Sequence, residues 1–230
     1  SAQYIYNIDI QDTSAPEIDS IPADYTVECS DDMPMEDATA SDNCGTVSID
    51  VSSETTPGNA AGNYTITRTF TATDDCGNSN SVTQTITVQD TTAPEFTSVP
   101  ADYTVECSDE LVLDDATAQD NCDGASVTVD SEIVQGNGTG NYVIIRTFTA
   151  TDDAGNSSTA TQTITVQDTT APEFTSVPAD YTAECSDELV LEEASAVDNC
   201  DGVVMSYSED VEQGIGTGNY TLTRTWTATD

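Results

Sequence analysis

The sequence predicts an all-β protein built from one small sandwich module repeated in tandem. Three observations carry this reading: an internal period of about 78 residues, apolar–polar alternation at period two, and turn residues that punctuate each alternating run. Cys29, Cys107 and Cys185 are evenly spaced at that period, as are Arg68, Arg146 and Arg224. The segment DTSAPEIDSIPADYTVECSD returns as DTTAPEFTSVPADYTVECSD and then as DTTAPEFTSVPADYTAECSD. Each copy later reaches YTITRTFTATD, YVIIRTFTATD or YTLTRTWTATD. No insertions are needed to align the copies, which sets module 1 at 12–89, module 2 at 90–167 and module 3 at 168–230.

Within a module the first strand carries Tyr25, Val27 and Cys29. A second carries Val47, Ile49 and Val51, matched by Val127 and Val129 and then by Val203, Met205 and Tyr207. Tyr64, Ile66, Phe70 and Ala72 share one face of the next strand, with Thr65, Thr67, Thr69 and Thr71 on the other, and Val82, Ile86 and Val88 close the module. Short alternating strands with Gly-, Pro- and Asn-rich turns describe tandem Ig-like β-sandwich modules of about 78 residues arranged end to end. A module this small buries a thin core and calls for covalent or metal staples.

Charge narrows the function. The 230 residues hold 43 Asp or Glu against three Arg, with no Lys and no His, a formal charge of −40. Nucleic acid and anionic membrane surfaces are excluded as partners, because both are bound through clustered cations. No run approaches the roughly 18–20 apolar residues of a membrane span, so membrane insertion is not expected. Without His or Lys there is no obvious general base, zinc site or Schiff base. The reading is therefore non-enzymatic, with no catalytic residues.

Each module has one Cys after its first strand and a second one short loop later. Regular pairing in a small acidic module favours three disulfides, Cys29–Cys44, Cys107–Cys122 and Cys185–Cys200, and an oxidising compartment. A lone Cys pair without His makes a poor zinc site. Cys76 has no counterpart in module 2, where Ala154 stands, and is expected as a free thiol.

An Ig-type topology brings three acidic segments to the pole where the chain enters each module. In module 1 they are Asp12 and Glu17, then Asp42 and Asn43, then Asp74, Asp75 and Asn78. Module 2 supplies Asp90, Glu95, Asp120, Asn121, Asp152, Asp153 and Asn156; module 3 supplies Asp168, Glu173, Asp198, Asn199 and Asp230. Calcium takes six to eight oxygen ligands in flexible geometry, and a pole of this composition offers them, so structural calcium is the expected cofactor. The competing reading is that Asp and Asn form turns and the charge is a solvated face. Arg68, Arg146 and Arg224, on the apolar face of their strand, read as structural arginines paired with carboxylates or backbone carbonyls.

The TATDDCGN and TATDDAGN loops, the DTTAP linkers and the DNC segments resemble HYR-like, Ig-related tandem repeats. The resemblance covers essentially the whole chain. Such repeats occur in large secreted adhesins and filament proteins of Bacteroidota, including gliding-motility adhesins and type IX secretion substrates. The resemblance implies an extracellular, cell-surface stalk, adhesin or filament. It also implies a further Cys in the loop aligned with 57–63 to partner Cys76; this chain has none.

The ends of the sequence are out of register with the modules. Tyr4, Tyr6, Ile8 and Ile10 alternate like Val82, Gln84, Ile86 and Val88, so residues 1–11 read as the last strand of a preceding module, while module 3 stops before its own last strand. Either the sequence is a window on a longer array, or residues 3–11 of one copy complete module 3 of another by strand donation. Two functions follow. One is a calcium-stiffened stalk or filament of a cell-surface adhesin whose partners are neighbouring modules or copies of itself. The alternative is an adhesin module that binds surface carbohydrate or protein.

Overall fold

The structure, a computed structural model, describes residues 1–122, 124–138, 140–200 and 202–230. Every element among them is a strand. Module 1 contains β1 (Glu17–Ser20), β2 (Tyr25–Glu28), β3 (Thr39–Ser41), β4 (Val47–Pro57), β5 (Tyr64–Asp74) and β6 (Ser79–Gln89). β1 and β3 form an antiparallel pair, and the second sheet has the order β2-β6-β5-β4. The β4–β5 and β5–β6 pairs are antiparallel, whereas β2 runs parallel to the end of β6, with Tyr25 opposite Ile86 and Glu28 opposite Gln89. The two short strands of the first sheet follow Pro16 or precede a turn, and are too brief to show a period.

The alternation read from the sequence is the burial pattern. Phe70, Ala72, Ile86 and Val88 are fully buried, while Thr65, Thr67 and Thr69 of β5 face Thr87, Thr85 and Thr83 of β6 across the other face. Such cross-strand Thr pairs suit an exposed pleated surface. Module 2 repeats the arrangement with β7 (Glu95–Ser98) on β9 (Thr117–Gln119). Its second sheet has β8 (Tyr103–Glu106), β10 (Ser126–Gln135), β11 (Tyr142–Thr151) and β12 (Ser157–Gln167) in the order β10-β11-β12-β8. Its core uses Phe148, Ala150, Ile164 and Val166.

A buried arginine sits at the centre of each complete module. Arg68 Nη1 donates to the Glu36 carbonyl at 2.7 Å and to Gln84 Oε1 at 3.1 Å, and the guanidinium lies over the Phe70 ring. Arg146 does the same with the Asp114 carbonyl, Gln162 Oε1 and Phe148. Each glutamine then donates to a carbonyl of the β1–β2 or β7–β8 connection, Ala23 or Ala101. The arginine thus ties three chain segments through one planar fork, which is the structural role expected for it.

Module 3 contains β13 (Glu173–Ser176), β14 (Ser195–Val197), β15 (Val204–Gln213) and β16 (Tyr220–Thr229). It has the β13–β14 pair and a β15–β16 hairpin, but Tyr181–Glu184, the counterpart of β2 and β8, is not a strand. β2 and β8 hydrogen-bond along the ends of β6 and β12, and among the described residues of 168–230 β16 pairs with β15 alone. No described residue of 168–230 is buried, so a hairpin alone does not close this core.

The chain forms two compact units that do not follow the repeat. The first comprises residues 1–97, 117–128 and 149–159, so module 1 is grouped with the N-terminal pole of module 2. The second comprises 98–116, 129–148 and 160–230.

Replacing Arg146 by Met leaves the buried Gln162 Oε1 and the Asp114 carbonyl without their donor. The expected cost is about 2 kcal/mol, read as a lowered urea midpoint, and Arg146→Met/Gln162→Leu should cost at least as much, because the Ala101 carbonyl then also loses its donor. An unchanged midpoint in the single variant would remove the arginine from its structural role.

Candidate functional site

Two sites recur, an acidic N-terminal pole and a joint built onto the C-terminal end of the preceding module. At each pole three aspartates from three segments converge: Asp12, Asp42 and Asp74; Asp90, Asp120 and Asp152; Asp168, Asp198 and Asp230. In each triad one carboxylate oxygen per residue lies within 4.8 Å of the others.

Turn formation accounts for half of these oxygens. Asp12 Oδ1 accepts from Ser14 N at 3.1 Å, Asp42 Oδ1 from Cys44 N at 2.8 Å, and Asp74 Oδ1 from Cys76 N and Asn78 N. Asp90, Asp120, Asp168 and Asp198 use one oxygen in the same way. The other oxygens are a different matter. Asp12 Oδ2, Asp90 Oδ2, Asp120 Oδ1, Asp168 Oδ2 and Asp198 Oδ2 are buried and have no hydrogen-bond partner among the described residues. Asp90 is 6% exposed.

The electrostatics reflect this split. Burial pushes the Asp90 carboxyl above its ordinary range, helped by Asp120, Asp152 and Glu28, although the Thr92 amide opposes the shift. Asp168 is raised in the same way, by burial first and then by Asp198, Asp230 and Glu106. Asp74 is instead lowered, chiefly by the Asn78 side-chain amide. In Asp152 burial is the largest influence, but the donors from Asn156, Gly155 and Ala154 together outweigh it and lower the carboxyl. One aspartate per pole is therefore satisfied by its own loop in the two complete modules, and the others are left facing one another.

The remaining predicted site residues are distributed around these triads. Asn78 Nδ2 donates to Asp74 and to the Asp12 carbonyl, and Asn156 Nδ2 to Asp152 and the Asp90 carbonyl, so both are scaffolding. Asp75 accepts from Thr46 N and Oγ1, whereas Asp153 is exposed. Glu17, Glu95 and Glu173 are exposed at the start of β1, β7 and β13 and do not join the converging carboxylates. Asn121 and Asn199 belong to the joints, and Asn43 is exposed at the equivalent position of module 1.

The joints overturn the expected cysteine pairing. The disulfides are Cys29–Cys122 and Cys107–Cys200, with Cα separations of 5.8 and 5.7 Å, and Cys44, Cys76 and Cys185 are free and exposed. The pairs Cys29–Cys44, Cys107–Cys122 and Cys185–Cys200 do not form. The reason lies in β2. Its parallel pairing with β6 carries Cys29 to the C-terminal end of the module, where Cys29 N donates to the Gln89 carbonyl. Cys44 follows Asp42 at the N-terminal pole. β5 runs 11 residues between the two ends, roughly 33 Å at strand rise, far beyond the Cα separation of about 7 Å that a disulfide tolerates. Cys76, expected as a free thiol, is one; burial pushes its thiol up, with Asp12, Asp74 and Cys44 adding to the shift.

Around the first bridge, Glu28 accepts from Thr91 N at 3.0 Å and Thr91 Oγ1 at 2.7 Å, Asp90 N donates to Asn63 Oδ1, and Asn121 Nδ2 donates to Ser30 Oγ at 2.9 Å. The second bridge has Glu106 with Thr169, Asp168 N with Asn141 Oδ1, and Asn199 with Ser108. The Thr169 amide and hydroxyl hold the Glu106 carboxyl down to about 2; Glu28 is lowered likewise, first by the Thr91 hydroxyl. Gly140 has φ +79°, and a Cβ there would lie 3.0 Å from Cys200 Cβ, so only glycine lets this loop pass the bridge. The sequence reading missed Glu28, Glu106, Asn63 and Asn141, whose partners lie 27 to 94 residues away.

These features define a tandem-repeat β-sandwich protein whose successive modules are cross-linked. The profile of the family described as "HYR-like domain with 4 cysteines" matches residues 17–88 and 96–166, and the chain belongs to that family. It departs from four cysteines per domain, with three in module 1 and two in modules 2 and 3. Among solved structures it is similar to Drosophila N-cadherin EC1-4, at 17% identity and a TM-score of 0.33, covering 67% of this chain and 50% of that one. The extracellular cadherin domains 1-4 of protocadherin gamma B7 match at 16% identity and a TM-score of 0.31, covering 94% and 68%. The chain thus spans half the length of the N-cadherin structure. No protein of curated function matches it.

Peptide mapping of the oxidised protein should recover Cys29–Cys122 and Cys107–Cys200 as linked pairs. Each closes a loop spanning 93 residues of separation, worth roughly 4–5 kcal/mol in the chain-entropy treatment. A Cys107–Cys122 peptide would contradict the joint.

Proposed function

We propose that the chain is a non-enzymatic extracellular repeat region, a calcium-stiffened stalk or filament of a surface adhesin. The observation that carries calcium is the set of unpartnered, buried carboxylate oxygens at the N-terminal poles, with Asp90 the most buried. Leaving a buried acceptor unsatisfied is costly, and leaving several like charges within 4.8 Å is costlier. No Lys or His exists to offset them, and Arg68, Arg146 and Arg224 are engaged elsewhere, with Asp37, Asp115 and with Glu193 and Glu209. A hard divalent cation with oxygen ligands fits this donor set. Asp90, Asp120 and Asp152 would hold it in the first unit, beside the Cys29–Cys122 bridge, and the bound ion would fix the three segments of that pole. Disulfides favour an oxidising, extracellular setting, and among the described residues no helix is long and apolar enough to cross a membrane.

Head-to-tail assembly by strand donation is part of the same proposal. Tyr4, Tyr6, Ile8 and Ile10 are 69–89% exposed and outside any strand, and among the described residues β16 pairs with β15 alone. Register supplies a further argument. In module 1 Phe70 faces Val82 and Arg68 faces Gln84; the same offsets place Trp226 opposite Tyr4 and Arg224 opposite Tyr6. Module 3 differs from its siblings at the matching positions. Arg224 Nε pairs with Glu209 at 3.1 Å instead of relying on a glutamine, and its guanidinium lies over Tyr207 and Trp226. A strand that brings Tyr in place of Gln suits that altered core.

Calcium added to chelator-treated protein should raise Tm saturably, by about 2.7 kcal/mol of stabilisation at a hundredfold excess over Kd. Asp90→Asn/Asp120→Asn should lower the calorimetric stoichiometry by one ion; an unshifted Tm in the parent chain removes calcium from the proposal. Deleting residues 1–11 should abolish sedimentable polymers, and undiminished polymers would remove strand donation.

A further inference from the structure

We infer that the cation site at Asp90, Asp120 and Asp152 is redox-linked: the Cys29–Cys122 bridge sets its affinity, and the bound ion in turn protects the bridge from reduction. The inference deepens the calcium reading and rests on it. These residues all lie in the first compact unit. The acidic cluster alone would not define a site. Asp90, however, is only 6% exposed, and its Oδ2 has no hydrogen-bond partner among the described residues. Its carboxylate lies within 4.8 Å of those of Asp120 and Asp152.

Two of the three ligand arms are fixed through residues beside the bridged sulfurs. Cys122 N donates to Asp120 Oδ2 at 2.8 Å, which leaves Asp120 Oδ1 buried and unpartnered. On the other side Glu28, next to Cys29, accepts from the Thr91 amide and hydroxyl and from the Thr92 hydroxyl. Thr92 N then donates to Asp90 Oδ1 at 3.2 Å, which leaves Oδ2 for the triad. Asp90 is also common to the triad and to a second group made with Glu28, Cys29 and Cys122. In each group one donor atom per residue lies within 4.8 Å of the others. Asp152 is held differently, by Gly155 N and Asn156 N of its own loop at 2.6 and 2.8 Å.

The bridge keeps the Cα atoms of Cys29 and Cys122 at 5.8 Å, and with them the segments that aim Asp90 and Asp120. Once the bond is opened, those segments must be ordered by the ion itself, and that cost appears as weaker binding. Linkage makes the effect reciprocal: the ion opposes opening of the bridge by the same factor. Opening is a thiol–disulfide exchange. Two equivalents of a small thiol give two electrons and two protons to the bridge and leave joined as one disulfide, with Cys29 and Cys122 left as thiols. The Cys107–Cys200 joint repeats the wiring, with Cys200 N on Asp198, Thr170 N on Asp168 and Thr169 on Glu106. It therefore serves as an independent reference in the same chain.

The test equilibrates the full chain in graded ratios of reduced to oxidised dithiothreitol, with calcium or with chelator. Thiols are then trapped by alkylation, and each bridge is scored by peptide mass spectrometry. Calcium should raise the ratio that opens half of Cys29–Cys122 by about tenfold, a typical coupling between linked sites, or about 30 mV for a two-electron couple. Asp90→Asn/Asp120→Asn should remove this shift at Cys29–Cys122 and leave the calcium shift at Cys107–Cys200. Asparagine keeps an oxygen for the Thr92 and Cys122 amides, so the joint is retained. An ion that acted only through overall stability would protect both bridges alike, so equal loss at both in the variant overturns the inference. The reciprocal arm is calorimetry on Cys29→Ala/Cys122→Ala, where one ion should bind about tenfold more weakly than in the parent. Unchanged affinity there, or a Cys29–Cys122 midpoint unmoved by calcium in a chain that binds the ion, overturns the linkage and leaves the calcium reading standing. An oxidised chain that binds no calcium removes both.

Discussion

The parallel pairing of Tyr25–Glu28 with Ile86–Gln89 determines what happens at the end of each module. A strand only four residues long contributes little on its own, yet its direction carries Glu28, Cys29 and Ser30 to the place where the chain leaves for the next module. An antiparallel strand at the same edge would return these residues toward the N-terminal pole, and no joint could form. The same pairing recurs at Tyr103–Glu106 against Ile164–Gln167, with the same Glu–Thr, Asn–Ser and Cys–Cys contacts following it. In module 3 Tyr181–Glu184 is not paired with another strand, and Cys185 is free.

That dependence makes the modules less autonomous than a string of independent domains. In repeat arrays stability is approximately a sum of unit terms and nearest-neighbour terms. Here the neighbour term is unusually direct. Asp90 and Asp168 each give their amide to an asparagine of the preceding module and their carboxylate to the acidic triad of their own. Setting the linker through the joint therefore also sets one side of the triad. The grouping of module 1 with residues 117–128 and 149–159 of module 2 expresses the same coupling.

Much of the sandwich was legible because burial alternates along long strands. Phe70, Ala72, Ile86 and Val88 could be assigned to the core from period two alone, and Arg68 stood out as the one cation on that face. The acidic poles were legible for a different reason: Asp12, Asp42 and Asp74 fall in loops that a sandwich topology must bring together. The short strands β1 and β3 were not legible, since three or four residues after a proline or before a turn show no period. Cysteine pairing was ambiguous in principle. In a strict repeat, pairing Cys29 with Cys44 and pairing it with Cys122 are equally regular, and only the direction of β2 decides between them. Composition also hid the role of Glu28, which reads as one more surface acid among 43.

The excess of acid becomes intelligible once the carboxylates are sorted by partner. Glu28 and Glu106 are held by threonine amides and hydroxyls, and their pKa values fall. Asp74 and Asp152 are held by their own loops and fall as well. Asp90 and Asp168 lie between these groups, raised by burial against neighbouring acids that the fold does not neutralise. A solvated acidic surface would leave its carboxylates apart and hydrated. These are instead drawn together, each anchored by one oxygen so that the other must face its neighbours. Drawing like charges together costs free energy, the cost recurs in all three poles, and it is the term that the proposed cation would offset.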